Sequence, residues 1–156
     1  MIKITVVSDS HGNRRALDGL DTVFSESDII IHLGDTSADG SYIQSKFPKT
    51  ILINGNCDPI KLGEDEKVIQ VEDIKIFLCH GHLYSAKTTL LKIAARAKEL
   101  GCSIALYGHT HRPREDFENG VTLLNPGALY RYGEKSYLYL VVNGEKFTAK
   151  AVPLNQ

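Results

Sequence analysis

The sequence predicts an α/β fold, and three observations predict it. Short β-branched, apolar runs recur at Ile4, Val6 and Val7 and at residues 29–33, 50–53, 74–79 and 103–107, some continuous enough to be strands buried on both faces. A segment with helical spacing of apolar residues follows the first run, which makes a βαβ start. The last third instead alternates apolar and polar residues around Asn119-Gly120 and Asn143-Gly144, both hairpin signals, and is expected to be antiparallel. With 156 residues the chain is expected to form one domain, 1–156, whose core needs no disulfide staple.

The first strand stops at Ser8-Asp9-Ser10-His11-Gly12-Asn13, which has turn chemistry. Asp9 and His11 therefore sit at a strand's carboxyl end, the rim where open α/β sheets bind ligands. Ala16, Leu17, Leu20 and Phe24 recur at three and four, predicting one amphipathic helix over 14–24 that Ser27-Asp28 breaks. The strand 29–33 ends in Gly34-Asp35, and His32 within it is read as packed or as backing the residues at the strand end. A polar helix is expected over 38–47, stopped by Pro48, before a strand over 50–53 runs into Asn54-Gly55-Asn56-Cys57-Asp58-Pro59. Charged, irregular residues 61–67 read as surface loop, and 68–71 and 74–79 read as a hairpin around Glu72-Asp73 that leads into His80-Gly81-His82. Ser85 is expected to cap a helix reaching Leu100, with Leu90, Ile93, Ala97 and Leu100 on one face and Gly101 as its stop. The strand 103–107 then opens into Gly108-His109-Thr110-His111.

A net charge of −1 gives no global attraction to nucleic acid, and there is no basic run, no tryptophan and no interleaving of the tyrosines with Lys and Arg. Nucleic-acid binding is therefore not expected. Cys57, Cys79 and Cys102 are odd in number and lack C-x-x-C spacing, which suggests reduced thiols and a cytoplasmic protein. The first residues enter a strand without the features of a signal peptide, and no apolar run approaches membrane-spanning length.

Five of the six histidines (His11, His80, His82, His109 and His111) fall in loops directly after apolar strands, with Asp9, Asp35 and Asn56. Histidines that merely fill a core would be scattered through helices and strands. Imidazole nitrogens and carboxylate oxygens are metal-ligand types, so their gathering at strand ends points to a metal site, although Asp9 and His11 alone would suit capping or turn duty as well.

In order, Asp9-Ser10-His11, Gly34-Asp35, Gly55-Asn56, His80 and Gly108-His109-Thr110-His111 resemble the motifs of the calcineurin-like metallophosphoesterases, over nearly the whole chain. The short length and the Gly-Asn-Cys-Asp variant further resemble the small bacterial and archaeal phosphodiesterases of that superfamily, which share a fold with a scaffold subunit of retromer. The resemblance implies a four-layer α/β/β/α sandwich of two mixed β-sheets flanked by helices. It also implies two divalent metals: Asp9, His11 and His111 on one, Asn56, His80 and His109 on the other, and Asp35 bridging them. A bridging carboxylate can hold two cations roughly 3.5–4 Å apart, and water shared between them becomes a hydroxide aimed in line at phosphorus. The cations also neutralise charge on the phosphate oxygens. Nitrogen and oxygen donors suit manganese, iron, zinc, cobalt or nickel, among which the resemblance favours manganese.

Asp35, Asn56, Cys57 and His82 are the expected catalytic residues, and Asn13, Cys57 and His82 the expected substrate contacts. Loop polarity is the alternative for His82, and capping of the first helix for Asn13. Cys57 departs from many relatives, which carry histidine there to protonate the leaving oxygen. A thiol of intrinsic pKa about 8.5 is a weak donor, so slow turnover of unactivated esters is expected. Asp58 is read as orienting a ligand, binding a cation or capping the turn at Pro59. Asn125-Pro126-Gly127 resembles a loop near the family's active site, and Arg112 and Arg131 either meet a substrate phosphate or are simply exposed.

The function so implied is hydrolysis of a small or nucleotide-like phosphodiester by a dinuclear centre. A non-catalytic scaffold of the same fold is the alternative. All seven candidate ligands are present, and a scaffold has no need of an intact cage. A structural zinc site is disfavoured because the ligands come singly from separate loops without paired thiolates. A homodimer is expected from the resemblance and from the amount of apolar strand in a small chain.

Overall fold

The computed structural model describes residues 1–155. Its strands form two mixed five-stranded sheets. In the first, β1 (Ile2–Val7), β2 (Ile29–His32) and β3 (Thr50–Leu52) run parallel, β9 (Lys135–Asn143) pairs antiparallel with β1, and β10 (Lys146–Leu154) closes the edge beside β9. In the second, β5 (Ile74–Cys79), β6 (Ile104–Leu106) and β8 (Val121–Pro126) run parallel, flanked by antiparallel β4 (Glu66–Val71) and β7 (Pro113–Glu118).

Alternation along the strands produces the layers. Ile4 and Val6 of β1, Ile31 of β2, Ile74, Ile76 and Leu78 of β5, and Ile104 and Leu106 of β6 meet in the core between the sheets. The opposite faces bury helices. Val7 and Ile30 pack with residues of α1 (Arg14–Asp18), α2 (Asp21–Glu26) and α3 (Ser37–Lys46), while Phe77, Cys79, Ala105 and Tyr107 pack against α4 (Leu91–Glu99). Three cores separate four layers, giving the α/β/β/α sandwich. No helix among the described residues is long and apolar enough to cross a membrane.

The helix expected over 14–24 is two. α1 ends at Asp18, because Gly19 and Leu20 turn the chain before α2 starts at Asp21. The apolar spacing still holds, since Ala16, Leu17, Leu20 and Phe24 share one core. The helix expected from Ser85 starts at Leu91. Ser85 takes a left-handed backbone (φ +57°) and closes a 3-10 turn over His82–Tyr84, so the chain makes turns up to Leu90 before the helix forms. Residues 61–67 are less irregular than their charge suggests, because Glu64 bridges to Ile53 and β4 begins at Glu66. The last third is only partly antiparallel. β8 lies between β7 and a parallel β6, and β9–β10 join the other sheet, a separation that local hairpin signals do not encode.

Candidate metal centre

The six parallel strands deliver their following loops to one rim. Hydrogen bonds tie these loops together: Asp9 N to Gly34 O (2.9 Å), His11 N to Asp35 O (3.1 Å), Gly108 N to His80 O (2.9 Å) and Asn125 Nδ2 to Gly108 O (3.2 Å). Such close approach needs glycine. A Cβ on Gly108 would lie 2.2 Å from Ser8 Oγ, and one on Gly55 would lie 2.0 Å from Asp35 Oδ1. Asp9, His11, Asp35, His109 and His111 all take left-handed backbone, with φ between +45° and +68°. Non-glycine residues adopt it at a cost of about 1–3 kcal/mol each, and such strain gathers at functional sites.

Each carboxylate is held by one oxygen and offers the other. Asp9 Oδ2 accepts from Ser8 Oγ (2.6 Å) and His109 N (2.9 Å). Its Oδ1 is buried without a hydrogen-bond partner, 3.2 Å from His111 Nε2 and 3.8 Å from both His11 Nε2 and His80 Nε2. Asp35 Oδ1 accepts from Cys57 N (2.9 Å), leaving Oδ2 3.3 Å from His80 Nε2 and 3.8 Å from His11 Nε2. His80 Nδ1 donates to Leu33 O at 2.7 Å, which turns Nε2 toward the carboxylates.

The electrostatics follow from this crowding. Burial opposes charge on Asp9, but His11, His111 and His80 outweigh it and hold the carboxyl well below the usual range. Burial likewise opposes charge on Asp35, and His80 overcomes it. The neighbouring Asp9 carboxylate raises His11, whereas burial lowers His82 and His109.

The donor atoms of Asp9, His11 and His111 fall within 4.8 Å of one another, as do those of Asp35, His80 and His109. Ligands held about 2.0–2.2 Å from one cation sit roughly 3 Å apart, so the observed 3.2–3.8 Å spacings need only slight contraction. Asp9 Oδ1, His11 Nε2 and His80 Nε2 are all buried without a partner. Each such atom costs about 1–3 kcal/mol unless something satisfies it. The chemistry of this donor set fits divalent cations.

The other expected site residues take varied places. Asn56 is exposed after β3, its Nδ2 3.6 Å from Cys57 Sγ, and Cys57 is exposed beside it. His82 lies next to the cage, its ring 5.4 Å from that of His80, with Nδ1 buried and unpartnered. Asn13 caps α1 through Oδ1 (3.3 Å to Ala16 N) and donates from Nδ2 to Leu129 O (2.7 Å). Asp58 gathers three backbone N–H groups, those of Ser37 (2.6 Å), Gly55 (2.7 Å) and Asp35 (3.1 Å). It pins the loops after β2 and β3. Arg112 and Arg131 are exposed.

Sequence reasoning missed Asp39, Ser10 and Tyr130. Asp39 Oδ2 accepts from Ser10 Oγ and Gly12 N, both at 2.7 Å, and so fixes the Asp9–His11 loop from beneath. Its signal was a lone carboxylate in a helix just after a histidine-bearing strand. Tyr130 packs edge-on to His11, ring centroids 5.3 Å apart.

His32 completes this support and yields a pH prediction. Gly34 N donates to Nδ1 (3.1 Å), so Nδ1 carries no proton, and Nε2 donates to Ser10 Oγ (2.9 Å). Burial lowers the imidazole's pKa, against the pull of Asp39. The unfolded chain therefore binds this proton more readily, so its stability contribution is full above about pH 6.5 and is lost as pH falls below. In urea unfolding of the chelated protein, His32→Gln is expected to remove about 1.4 kcal/mol per pH unit of acid slope below that value. Equal slopes in wild type and variant would contradict a neutral buried ring.

Comparison with known proteins places this geometry. Residues 2–146 match the calcineurin-like phosphoesterase superfamily domain. A probable metallophosphoesterase of Methanocaldococcus jannaschii is 34% identical over 160 residues, covering 98% of this chain and 82% of that protein. Phosphodiesterase YfcE of Escherichia coli K12 is 25% identical, over 83% of this chain and 80% of its own length. A predicted phosphoesterase of Streptococcus pneumoniae has a similar crystal structure, with TM-score 0.83 and 26% identity over 97% of this chain and 89% of that one. Vps29 of Chaetomium thermophilum gives TM-score 0.83 at 19% identity over 99% of this chain and 90% of that one, a likeness of fold alone. A sandwich whose strand ends bring four imidazoles and two buried carboxylates together, and a match over nearly its whole length, make this chain a member of the calcineurin-like phosphoesterase superfamily.

Proposed function

We propose that the chain is a dinuclear metal-dependent phosphodiesterase acting on a small or nucleotide-like diester. The observation that carries the reading is Asp35 Oδ2, one carboxylate oxygen that faces His11 of one donor group at 3.8 Å and His80 of the other at 3.3 Å. That position suits a bridge between two cations. Asp9, His11 and His111 would hold one cation, Asn56, His80 and His109 the other. Asn56, exposed just after β3, is the proposed fourth residue of the second set, an assignment that rests on the family resemblance. When bound, the cations supply an activated water and neutralise charge on the phosphate oxygens. Manganese is the proposed ion, with iron, zinc, cobalt and nickel as substitutes that the same donors accept.

The chain's own residues do the positioning. Hydrogen bonds to Leu33, Cys57 and His109 fix the donors before substrate arrives, so little reorganisation is needed. His82, whose ring lies beside that of His80, and Asn13, two residues past His11, are the proposed substrate contacts, together with Cys57. The relationship to YfcE supports diester substrates.

Cys57 sets the leaving-group preference. In the metal-free chain partial burial and Asp35 raise its thiol above the ordinary value, and an S–H group is a weak hydrogen-bond donor. Cys57→His is expected to raise turnover of esters with poor leaving groups by about 10²-fold or more and to change bis-aryl phosphate hydrolysis little. Unchanged turnover of the poor substrates would remove Cys57 from this role.

The test of the function compares a chromogenic bis-aryl phosphate with the matching aryl monophosphate, after chelation and again with manganese restored. Metal-dependent cleavage favouring the diester is the expected result. Absence of cleavage with any divalent ion, despite bound metal, would bring the scaffold reading forward. Residues 1–156 are taken as one domain, supported by the core shared between the sheets. Three unbridged thiols support a reducing cytoplasm. A homodimer is the proposed assembly, and a monomer in sedimentation at micromolar concentration would remove it.

A further inference from the structure

A cavity of about 580 Å³ borders the loops that carry the cage, lined by Asn13, Arg15, Arg131, Lys135 and Asn155. Two chain segments join it to the centre. Asn13 lies two residues past His11, and Arg131 follows Tyr130, whose ring is 5.3 Å from that of His11 and 5.8 Å from that of His111. Asn13 also fixes the walls relative to each other, since it caps α1 and binds Leu129 O across the cavity's rim.

Among the described residues the lining has three cationic side chains and no carboxylate. Other cations of the protein lie beside carboxylates, as Lys46 does with Asp18 and Asp21, Arg96 with Glu66 and Glu99, and Arg114 with Asp116, whereas here three gather on one concave surface. Among the described residues, Arg15, Arg131 and Lys135 form no ion pair, and Lys135 donates instead to Gly133 O at 3.3 Å. Like charges on one concave surface raise the local potential, which an entering anion relieves. Guanidinium forks and an ammonium suit a phosphate's oxygens. The volume falls within the range of small-molecule sites, about 300–1,000 Å³, and holds a phosphate with part of the group that carries it.

We propose that this cavity is an anion subsite which takes a second phosphate, carried on one arm of the diester whose scissile phosphate sits at the metal cage. The substrate class narrows from diesters in general to diesters bearing a further phosphate. This rests on the phosphodiesterase reading for its use in the reaction, but the subsite can be measured without turnover.

The kinetic arm uses two substrates with the same reacting bond and leaving group: thymidine 5′-(p-nitrophenyl phosphate) and its 3′-phosphorylated form. The 3′-phosphate is expected to raise kcat/KM by about tenfold or more through KM, and Arg15→Gln/Lys135→Gln to abolish that advantage. Lys92→Gln/Lys98→Gln removes the same charge on α4 and is expected to retain it, which separates a subsite from general attraction. The binding arm titrates thymidine 3′,5′-bisphosphate into the full chain after chelation, by calorimetry. Wild type is expected to bind about tenfold or more tightly than Arg15→Gln/Lys135→Gln. Equal affinity in the two proteins, or an equal kinetic advantage in both double variants, overturns the subsite. If neither nucleotide ester is hydrolysed, the bis-aryl phosphate assay judges the phosphodiesterase reading separately and the calorimetric comparison alone decides the subsite.

Discussion

Asp35→Asn is expected to lower kcat/KM for manganese-dependent bis-aryl phosphate hydrolysis by on the order of 10²–10³-fold while the protein stays folded. The two side chains have the same shape, and the amide oxygen can still accept from Cys57 N as Asp35 Oδ1 does at 2.9 Å. What is lost is the negative charge on the oxygen facing His80 and His11. A bridging role makes that charge one that both cations share, so the variant should also bind fewer than two equivalents of manganese. Steady-state kinetics beside a metal assay on the purified variant check both. Wild-type turnover with full metal content would remove Asp35 from the bridge.

Asp58→Ala is expected to destabilise the fold by about 3 kcal/mol or more in chemical denaturation, with or without metal. Its carboxylate is the acceptor for Ser37 N, Gly55 N and Asp35 N, and all three contacts are buried. Removing it leaves donors that alanine cannot satisfy. Asp58→Asn retains one oxygen acceptor and is expected to lose roughly half as much. If Asp58 were instead a metal ligand, the loss would appear only in the metal-loaded protein, and chelated wild type and variant would unfold alike.

The candidate donors were legible in the sequence because metal chemistry restricts residue type. Asp9, His11, Asp35, His80, His109 and His111 each follow an apolar strand, and the structure draws these six into two adjoining groups. The strands were legible for a similar reason, since alternation at Ile4 and Val6 or at Ile76 and Leu78 follows directly from burial of one face. What supports the donors was legible only in part, since His32 and Asp58 stood out but not the groups they hold. Asp58 and Asp39 act on backbone N–H groups of residues distant in the chain, and such bonds depend on topology rather than local pattern. The left-handed backbone at Asp9, His11, Asp35, His109 and His111 was hidden for another reason, because glycine would have signalled it and the chemistry requires other residues there. Helix starts were misplaced where turns carried helix-compatible residues, as at Ser85 and at Leu20.

The claim of two cations on either side of Asp35 is tested most directly by anomalous diffraction from crystals grown with manganese, recorded at the manganese edge. Two peaks roughly 3.5–4 Å apart, flanking Asp35 Oδ2, with Asp9, His11 and His111 around one and His80 and His109 around the other, are the predicted result. A single peak, or two that share no carboxylate, would contradict the dinuclear account.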